Sequence, residues 1–275
     1  MTPVALIVHA HREPDHLDLC LASLYGQTYP EFEVLVTEAA GSRANDAVIE
    51  HHAAHIPQRL RHIAVPGRGI NLARALNAAV LSTNAEYLVF LGGNCLAQPE
   101  FVATHVAAAD YGYFAYAETL PLDERITEAV DSLALGAGYA FDEAWLKATS
   151  PEWHARHLQG SALNRMREWL QKDTPGLRYW NGESSSCFRD DLVRVNGFDM
   201  DVEDWRIDRD LANRLQNNGL EPVASGPAAN VLRLFDLLAD DGAKRGGRVP
   251  ASLAPGGEVR AVTGLDELVD RAGAA

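Results

Sequence analysis

The sequence contains few cysteines, and none of them are close together. Cys20, Cys95 and Cys187 are far apart in the chain, and no Cys-X-X-Cys pair occurs. The chain therefore has no disulfide framework of the kind that staples small secreted proteins. Isolated cysteines fit a reducing compartment, so we expect a cytoplasmic protein.

Long apolar runs and positive charge are also scarce. No stretch approaches the ~20 apolar residues of a membrane span, and the first residues, MTPVALIVHAH, lack the basic region of a signal peptide. The chain has 24 lysines and arginines against 38 aspartates and glutamates, which gives a formal net charge of −14. Such a chain repels phosphate backbones and anionic lipids, so we expect neither a nucleic-acid partner nor a membrane partner.

What the sequence does have is enough apolar content for a large core. Of its 275 residues, 47% are hydrophobic. In the first half, apolar runs of strand length alternate with segments that have apolar residues at helical spacing. Continuous apolar strands between helices are typical of a parallel sheet covered on both faces, which predicts an α/β fold. The predicted strands are 4–8, 32–36, 62–65 and 87–91, and the predicted helices include 45–55 and one that begins at Pro99.

The pattern changes near residue 111. Helical segments dominate from about 111 to 171, and a strand followed by helices is predicted from 179 onward. Beyond about residue 240, glycine, proline and charged residues dominate, apart from a short helix near 265–271. This composition predicts a poorly ordered tail.

Open parallel sheets bind their ligands beyond the carboxyl ends of the strands, where the strand order reverses. That rule selects four segments of this chain, each of which follows a predicted strand. They are residues 9–12, 37–42, 66–69 and 92–95. We expect the binding site to lie among them.

Three stretches of the sequence resemble the family 2 glycosyltransferases. VALIVHAHREPDHLDLCLASLYGQTYPEFEVLVTEAAGS resembles the family's opening, and its Gly-Gln-Thr-Tyr-Pro run at 26–30 is especially typical. GRGINLARALNAAVLSTNAEYLVFLGGNCLAQPEF is similar to the segment that leads into the family's metal motif, and VNGFDMDVEDWRIDRDLANRL to the segment with its catalytic base. The resemblance covers about residues 3–109 and 179–235.

The resemblance implies a GT-A type fold, which is a Rossmann-like nucleotide-binding sheet with flanking helices and a helical insertion before the acceptor-side segment. It implies one domain over 1–240, with a nucleotide-binding half at 1–110 and a helical insertion and acceptor half at 111–240, and we expect a flexible tail at 241–275. It also implies an inverting transfer of a sugar from a nucleotide-diphosphate sugar to a small-molecule or glycan acceptor. The helices of 110–180 are expected to form part of the acceptor wall or the contact of a homodimer.

By the same resemblance, residues at two strand ends form the nucleotide site. Glu38 stands where the family has an aspartate that bonds the nucleobase, although a solvated loop glutamate would look the same. His9, Ala10 and His11 replace the family's loop after the first strand, and they either contact the base or are loop residues without a ligand.

The resemblance breaks at Gly92-Gly93-Asn94. Here the family has an Asp-X-Asp motif that ligates a divalent metal bridging the diphosphate. Gly93 and Asn94 keep nucleotide-binding positions, but an asparagine amide is a weaker ligand for a hard cation than a carboxylate. We therefore expect no metal site and no firm cofactor, and disfavour a Mn or Mg ion. Arginines would stabilise the diphosphate instead. The candidates are Arg68 and Arg74, which flank a helix start that itself favours a diphosphate, and Arg206 and Arg233, the last near the family's histidine metal ligand.

Asp208 matches the family's catalytic base. It lies at the predicted start of a helix with Ile207, Leu211 and Leu215 on one face, where the helix dipole favours an ionised carboxylate. There it would accept the proton of the acceptor hydroxyl, although carboxylates are also common at helix starts as caps. Asp210 points elsewhere, and we expect a structural role for it.

Five further residues are candidates for the sugar side of the site. Trp180, Asn181, Gly182 and Glu183 lie where the family lines the sugar end of the donor site. An indole face suits the apolar face of a pyranose, but Trp180 fits a core tryptophan equally well. Trp205, just before Asp208, is a candidate for the boundary of the acceptor pocket.

The missing Asp-X-Asp motif supports a second hypothesis. A catalytically degenerate GT-A domain would bind a nucleotide or sugar, or scaffold a partner, without catalysis. The retained Asp208 and the glycine loop at 67–69 oppose it. A nucleotidyltransferase would need a glycine-rich, basic loop after the first strand, which HAHREP is not, and a dinucleotide oxidoreductase would need Gly-X-Gly-X-X-Gly there.

Overall fold

The computed structural model describes residues 2–10, 13–39, 42–65, 71–158, 180–236 and 257–273. The strands are β1 Val4–His9, β2 Phe32–Glu38, β3 Arg59–Ala64, β4 Tyr87–Gly92, β5 Cys95–Leu96, β6 Tyr113–Tyr116, β7 Thr119–Pro121, β8 Ser184–Phe188, β9 Glu221–Ala224 and β10 Val231–Arg233. The α-helices are α1 Pro14–Ala22, α2 Arg43–Ala53, α3 Leu72–Leu81, α4 Phe101–Ala107, α5 Glu124–Ala129, α6 Ser132–Gly136, α7 Glu143–Thr149, α8 Pro151–Leu158, α9 Arg189–Arg194, α10 Ile207–Asn217 and α11 Leu265–Gly273. Short 3₁₀-helices span Tyr139–Phe141, Asp204–Arg206 and Pro227–Ala229.

Seven strands form the central sheet in the order β3-β2-β1-β4-β8-β6-β9. β1 pairs in parallel with β2 and β4, and β2 with β3, so the first four strands form a parallel block. β8 is antiparallel to both β4 and β6. Every residue of β1 and β4 is buried, because helices cover both faces of the sheet. The predicted α/β sheet with flanking helices is confirmed.

Two hydrophobic clusters cover the two faces of the sheet. Val8 of β1 packs in one cluster with Leu17 of α1 and residues of α2 and α4. The preceding residue of β1, Ile7, packs in the other cluster with Leu76 of α3 and Leu211 of α10. Successive strand residues point to opposite faces, so a continuous apolar strand joins both clusters.

Helices α5 to α8 pack on a second, smaller sheet. This sheet has the order β5-β10-β7, and a third hydrophobic cluster around Trp153 joins it to the helices. α5, α6 and α7 each follow an aspartate whose carboxylate accepts a hydrogen bond from a backbone N–H three residues on. These caps are Asp123, Asp131 and Asp142. Acidic residues of the insertion thus serve to begin its short helices.

Three strands lie where the sequence predicts helix or loop. β5, β6 and β7 contain only 2, 4 and 3 residues, too few for strand periodicity to be visible. β6 exists because it pairs with β8 and β9, which are remote in sequence. At Pro99 the prediction was two residues early, since α4 begins at Phe101. Among the residues that the structure describes, no helix is both long and apolar enough to cross a membrane.

Residues 257–273 pack against the domain, which differs from the expectation of a flexible tail over 241–275. The Ala261 N–H donates to the Val195 carbonyl at 2.9 Å, and the Leu265 N–H to the Asn196 carbonyl at 3.1 Å. Ala261 and Leu265 are both buried. Local composition is polar here, but a few apolar residues find a docking surface that only the folded chain provides. Residues 241–256 and 274–275 lie outside the described residues.

Candidate active site

The carboxyl ends of β1, β2 and β4 meet at one edge of the sheet. The parallel register aligns His9 with Thr37 on one side and with Gly92 on the other. The Gly93 N–H donates to the His9 carbonyl at 2.9 Å. A β-carbon at Gly93 would lie 2.6 Å from that oxygen, so this position requires glycine for the close approach of two backbones. The described residues of three predicted segments, 9–10, 37–39 and 92–95, therefore lie at one edge, whereas 11–12, 40–41 and 66–69 lie outside the described residues.

His9 and Ala10, at the end of β1, are the two described residues of the loop predicted to contact the nucleobase, and they differ in exposure. His9 is only 6% exposed, so its ring has little surface to offer a nucleobase. Ala10 is half-buried, and its N–H donates to the Thr37 carbonyl at 2.8 Å. His11 lies outside the described residues. The edge therefore offers mainly backbone at residues 9 and 10.

Glu38 is committed to contacts within the chain. It is 3% exposed, and its Oε1 lies 3.1 Å from His62 Nε2 and accepts from the Ser42 N–H at 3.3 Å. Its Oε2 accepts from Asn45 Nδ2 at 2.9 Å. The alternative of a solvated loop glutamate is therefore wrong, because the carboxylate holds the start of α2 against β3. As a nucleobase acceptor Glu38 would have to share a carboxylate that already has three partners.

His62 belongs to this cluster and was not among the predicted site residues. Its Nδ1 lies 3.3 Å from Asp46 Oδ1, so its ring lies between two carboxylates. Glu38, Asp46 and His62 place their ligand atoms within 4.8 Å of one another, a set that could hold a metal ion. A histidine in the strand next to β2 was the sequence feature that could have indicated it.

The start of α3, expected to face a diphosphate, already has a carboxylate beside it. Asn71 caps the helix, because its side chain accepts from the Arg74 N–H at 2.8 Å. The Leu72 N–H donates to Asp204 Oδ1 at 3.3 Å. Asp204 thus links the start of α3 to the segment that precedes Asp208. Arg74 is half-buried at this end, and Arg68 lies outside the described residues.

Asn94 lies beside the small sheet. It is 3% exposed, and its carbonyl accepts from the Leu234 N–H at 2.9 Å. The pairing of β5 with β10 places Arg233 opposite Cys95. Arg233 therefore lies next to the Gly92-Gly93-Asn94 segment.

Arg233 forms an ion pair with Glu183 next to this segment. Its Nη1 lies 3.1 Å from Oε1 and 3.4 Å from Oε2 of Glu183. A β-carbon on Gly92 would lie 3.2 Å from the Glu183 Cγ and 3.1 Å from Asn94 Oδ1. Glycine at 92 thus leaves room for both side chains, where an aspartate would crowd them.

Asp208 lies at the second residue of α10, beside the turn at 181–183. Its Oδ2 accepts a hydrogen bond from the Gly182 N–H at 3.0 Å. Burial raises the pKa of the Asp208 carboxyl to about 7; the Gly182 N–H lowers this pKa and the Glu183 charge raises it. The helix dipole favours the ionised form, but burial outweighs it. A carboxyl with a pKa near 7 is suited to general base catalysis.

Trp180 and Asn181 are turned into the protein instead of toward a sugar. Trp180 is fully buried and packs against Phe90 and Phe198, with ring centroids at 5.0 Å and 6.2 Å. The donor-sugar role predicted for Trp180 is therefore wrong, and it is a core tryptophan. Asn181 directs its side-chain nitrogen to the Ala117 carbonyl at 3.1 Å.

Trp205 and Arg206 lie on the short 3₁₀-helix just before α10. Trp205 is 62% exposed, and the Arg206 guanidinium lies 5.5 Å from its ring centroid. An exposed indole three residues from Asp208 suits the predicted boundary of an acceptor pocket. Arg206 and Arg233 were the two arginines predicted to stabilise the leaving group, and the structure places Arg233 beside Glu183 and near Asn94.

Asp210 accepts hydrogen bonds from Arg214 through its Oδ2, as its expected structural role requires.

Comparison with known proteins supports this description. Residues 5–120 match the model of glycosyl transferase family 2. No curated protein matches the chain in sequence. The sequence resemblance to family 2 is thus confirmed over residues 5–120, in the half of the chain that contains the parallel strands.

Solved structures with the same fold are GT-A glycosyltransferases. The mannosyltransferase PcManGT from Pyrobaculum calidifontis, solved with GDP-Man and Mn2+, matches with a TM-score of 0.55 and 17% identity over 90% of this chain. TarS of S. aureus matches with 0.53 and 11% over 85% of this chain, and its 1–349 form with 0.55 and 13% over 84%. The chain spans 65%, 37% and 60% of the lengths of these three chains. The GT-A fold is confirmed.

Proposed function

We propose that this protein transfers a sugar from a nucleotide-diphosphate sugar to an acceptor hydroxyl, with Asp208 as the general base. The observation that carries the proposal is the position of the Asp208 carboxylate. The Gly182 N–H donates a hydrogen bond to this carboxylate. The adjacent residue Glu183 lies at the edge of the sheet, because its carbonyl accepts a hydrogen bond from the Gly92 N–H at 3.3 Å. The base therefore lies next to the carboxyl end of β4, where ligands bind in such sheets.

The chemistry is a single displacement. The acceptor oxygen attacks the anomeric carbon and gives its proton to Asp208, while the bond from that carbon to the diphosphate oxygen breaks and the nucleoside diphosphate leaves. One carboxylate base suffices for such an inverting reaction, since no covalent intermediate forms. A pKa near 7 balances the ionised fraction against the strength of the base at neutral pH.

The departing diphosphate would be stabilised by Arg233, without a metal ion at the Gly92-Gly93-Asn94 segment. The residues there do not fit a divalent cation. Asn94 offers one neutral oxygen. The Glu183 carboxylate is already paired with Arg233, whose Nη1 lies 3.1 Å from Glu183 Oε1. A cation bound to Glu183 would face that positive charge. Arg206 and Arg74 are further candidates on the rim of the same edge.

The acceptor side is proposed to include Trp205. Its exposed ring next to Asp208 offers an apolar face to a sugar or other small-molecule acceptor.

Cys20, Cys95 and Cys187 are all free and buried, which supports the reducing, cytoplasmic setting expected from the sequence.

The test is a thermal-shift screen of UDP, GDP, dTDP and their common sugars, each with EDTA and with Mn²⁺. A ligand that binds only the folded state raises the Tm by mass action. A shift that persists in EDTA, followed by transfer to a sugar acceptor with inverted anomeric configuration by ¹H NMR, is the expected result. A shift only with Mn²⁺ contradicts the metal-free part of the proposal. No shift with any nucleotide overturns the transferase and favours a scaffolding role.

A further inference from the structure

The three residues before β8 form a tight turn that is held by the side chain of Asn181. Its Oδ1 accepts from the Glu183 N–H at 3.1 Å, and its carbonyl accepts from the Ser184 N–H at 2.9 Å. A side-chain oxygen that bonds the backbone two residues on is an Asx-turn. The conformation of Gly182, in the middle, is therefore fixed from both sides.

The same side chain ties the turn to the neighbouring part of the domain. Asn181 Nδ2 donates to the Ala117 carbonyl at 3.1 Å and to Thr119 Oγ1 at 3.0 Å. The Asn181 N–H donates to Ser185 Oγ at 2.8 Å. Both polar atoms of the Asn181 amide thus form hydrogen bonds within the chain. The amide therefore holds the turn, whereas the sequence suggested that it contacts the donor sugar.

The turn aims a single N–H at the Asp208 carboxylate. Gly182 donates to Asp208 Oδ2 at 3.0 Å, and this bond opposes the rise in the pKa of Asp208 that burial causes. The charged group facing Asp208 from the turn is Glu183, itself paired with Arg233. On its own helix, the following acidic residue Asp210 is paired with Arg214.

We propose that Asn181 is a positioning residue, which orients the Asp208 carboxylate by holding the Gly182 N–H in place. The inference deepens the proposed function and rests on it, because it assigns Asn181 to the base instead of to the sugar. Asn181 contacts none of the reacting atoms. Its effect on the reaction passes through one backbone hydrogen bond.

The experiment measures the pKa of Asp208 by ¹³C NMR of the aspartate carboxyls in the whole protein, with Asp208→Asn used to assign the signal. In Asn181→Ala the pKa is expected to rise by about one pH unit, because the carboxylate loses a charge-assisted hydrogen bond. Asn181→Ser, whose hydroxyl can also accept from the backbone two residues on, is expected to restore part of the difference. Thr119→Val removes one anchor of Asn181 and is expected to give a smaller rise, which keeps the test available if Asn181→Ala does not fold.

Gln27→Ala is the matched control. The Gln27 amide donates to the Gln98 carbonyl at 2.7 Å and accepts from the Val102 N–H at 3.1 Å, on the α4 side of the protein. It is expected to lower the Tm and leave the pKa of Asp208 unchanged. An unchanged pKa in both Asn181→Ala and Thr119→Val would overturn the proposal. Because the titration needs no substrate, this outcome is separate from a failure to detect sugar transfer.

Discussion

Gly182 and Asp208 approach each other so closely that no side chain fits between them. A β-carbon at Gly182 would lie 2.7 Å from Asp208 Oδ1 and 3.3 Å from Oδ2. Real β-carbons do not come this near to an oxygen, so either the turn or the carboxylate would have to move. The absence of a side chain at 182 is thus a condition for the position of the proposed base.

Replacing Gly182 with alanine tests this condition. Gly182→Ala is expected to lower kcat by roughly 10²-fold, because a displacement of about 1 Å in a reacting group has an effect of that size. Steady-state kinetics with the donor found in the nucleotide screen is the measurement. Gly26→Ala is the matched control, since a β-carbon there would have nothing within 4 Å. Equal activity of the two variants would contradict the role of this close approach.

The role of Asp208 is tested by Asp208→Asn. The amide can still accept the Gly182 hydrogen bond but cannot take a proton, so turnover is expected to fall by roughly 10²- to 10⁴-fold. The Kd for the nucleotide sugar, measured by calorimetry, should change little. Asp190→Asn, an exposed carboxylate on α9, serves as the control and should retain activity. An Asp208→Asn variant with normal turnover would remove Asp208 from the mechanism.

The pKa of Asp208 also predicts how stability depends on pH. The folded protein holds a proton on Asp208 up to about pH 7, whereas an unfolded aspartate releases it near its ordinary value of 3.8. The free energy of unfolding therefore falls as the pH rises between these values. Asp208→Asn removes this loss, so relative to wild type it should gain roughly 1–3 kcal/mol between pH 5 and pH 8. Urea unfolding at both pH values is the measurement, and a constant difference would contradict the raised pKa.

Arg233 is expected to carry the positive charge that a metal would otherwise supply. Arg233→Met should lower kcat by roughly 10²-fold or more, the usual effect of removing one group that stabilises developing negative charge. Arg233→Lys should recover part of it, and wild-type turnover should be the same in EDTA. Arg125→Met, at an exposed pair with Glu152, is the control. Loss of activity in EDTA with recovery in Mn²⁺ would show that a metal is needed after all.

Arg214 is expected to stabilise the fold. It is 4% exposed, its Nη2 lies 2.7 Å from Asp210, and its Nη1 donates to the carbonyls of Val195 and Gly197. Arg214→Met leaves a largely buried carboxylate without its partner, so the free energy of unfolding should fall by roughly 3–5 kcal/mol. Arg125→Met, which breaks the pair with Glu152 that is exposed on both sides, should change it by under about 1 kcal/mol. Similar losses in the two variants would refute this difference.

Much of the first half of the fold could be predicted because its signals are local. The apolar runs at 4–8 and 87–91 are long enough to define buried strands, and they became β1 and β4. The helix start before Leu211 and Leu215 placed Asp208 correctly at the second residue of α10. The strands that were missed, such as β6, have no local pattern and depend on partners remote in the chain.

The sequence by itself determined the parallel sheet, and it selected the sheet edge proposed to bind the ligands and the carboxylate proposed as the base, because these follow from periodicity, strand ends and residue type. Only the tertiary structure decided what the polar side chains near that edge bond to. Glu38 meets His62 across β2 and β3, Arg233 meets Glu183, and Trp180 enters the core beside Phe90. The reason is physical, since burial and hydrogen-bond partners come from segments far apart in the chain, and no local pattern records which of them will meet.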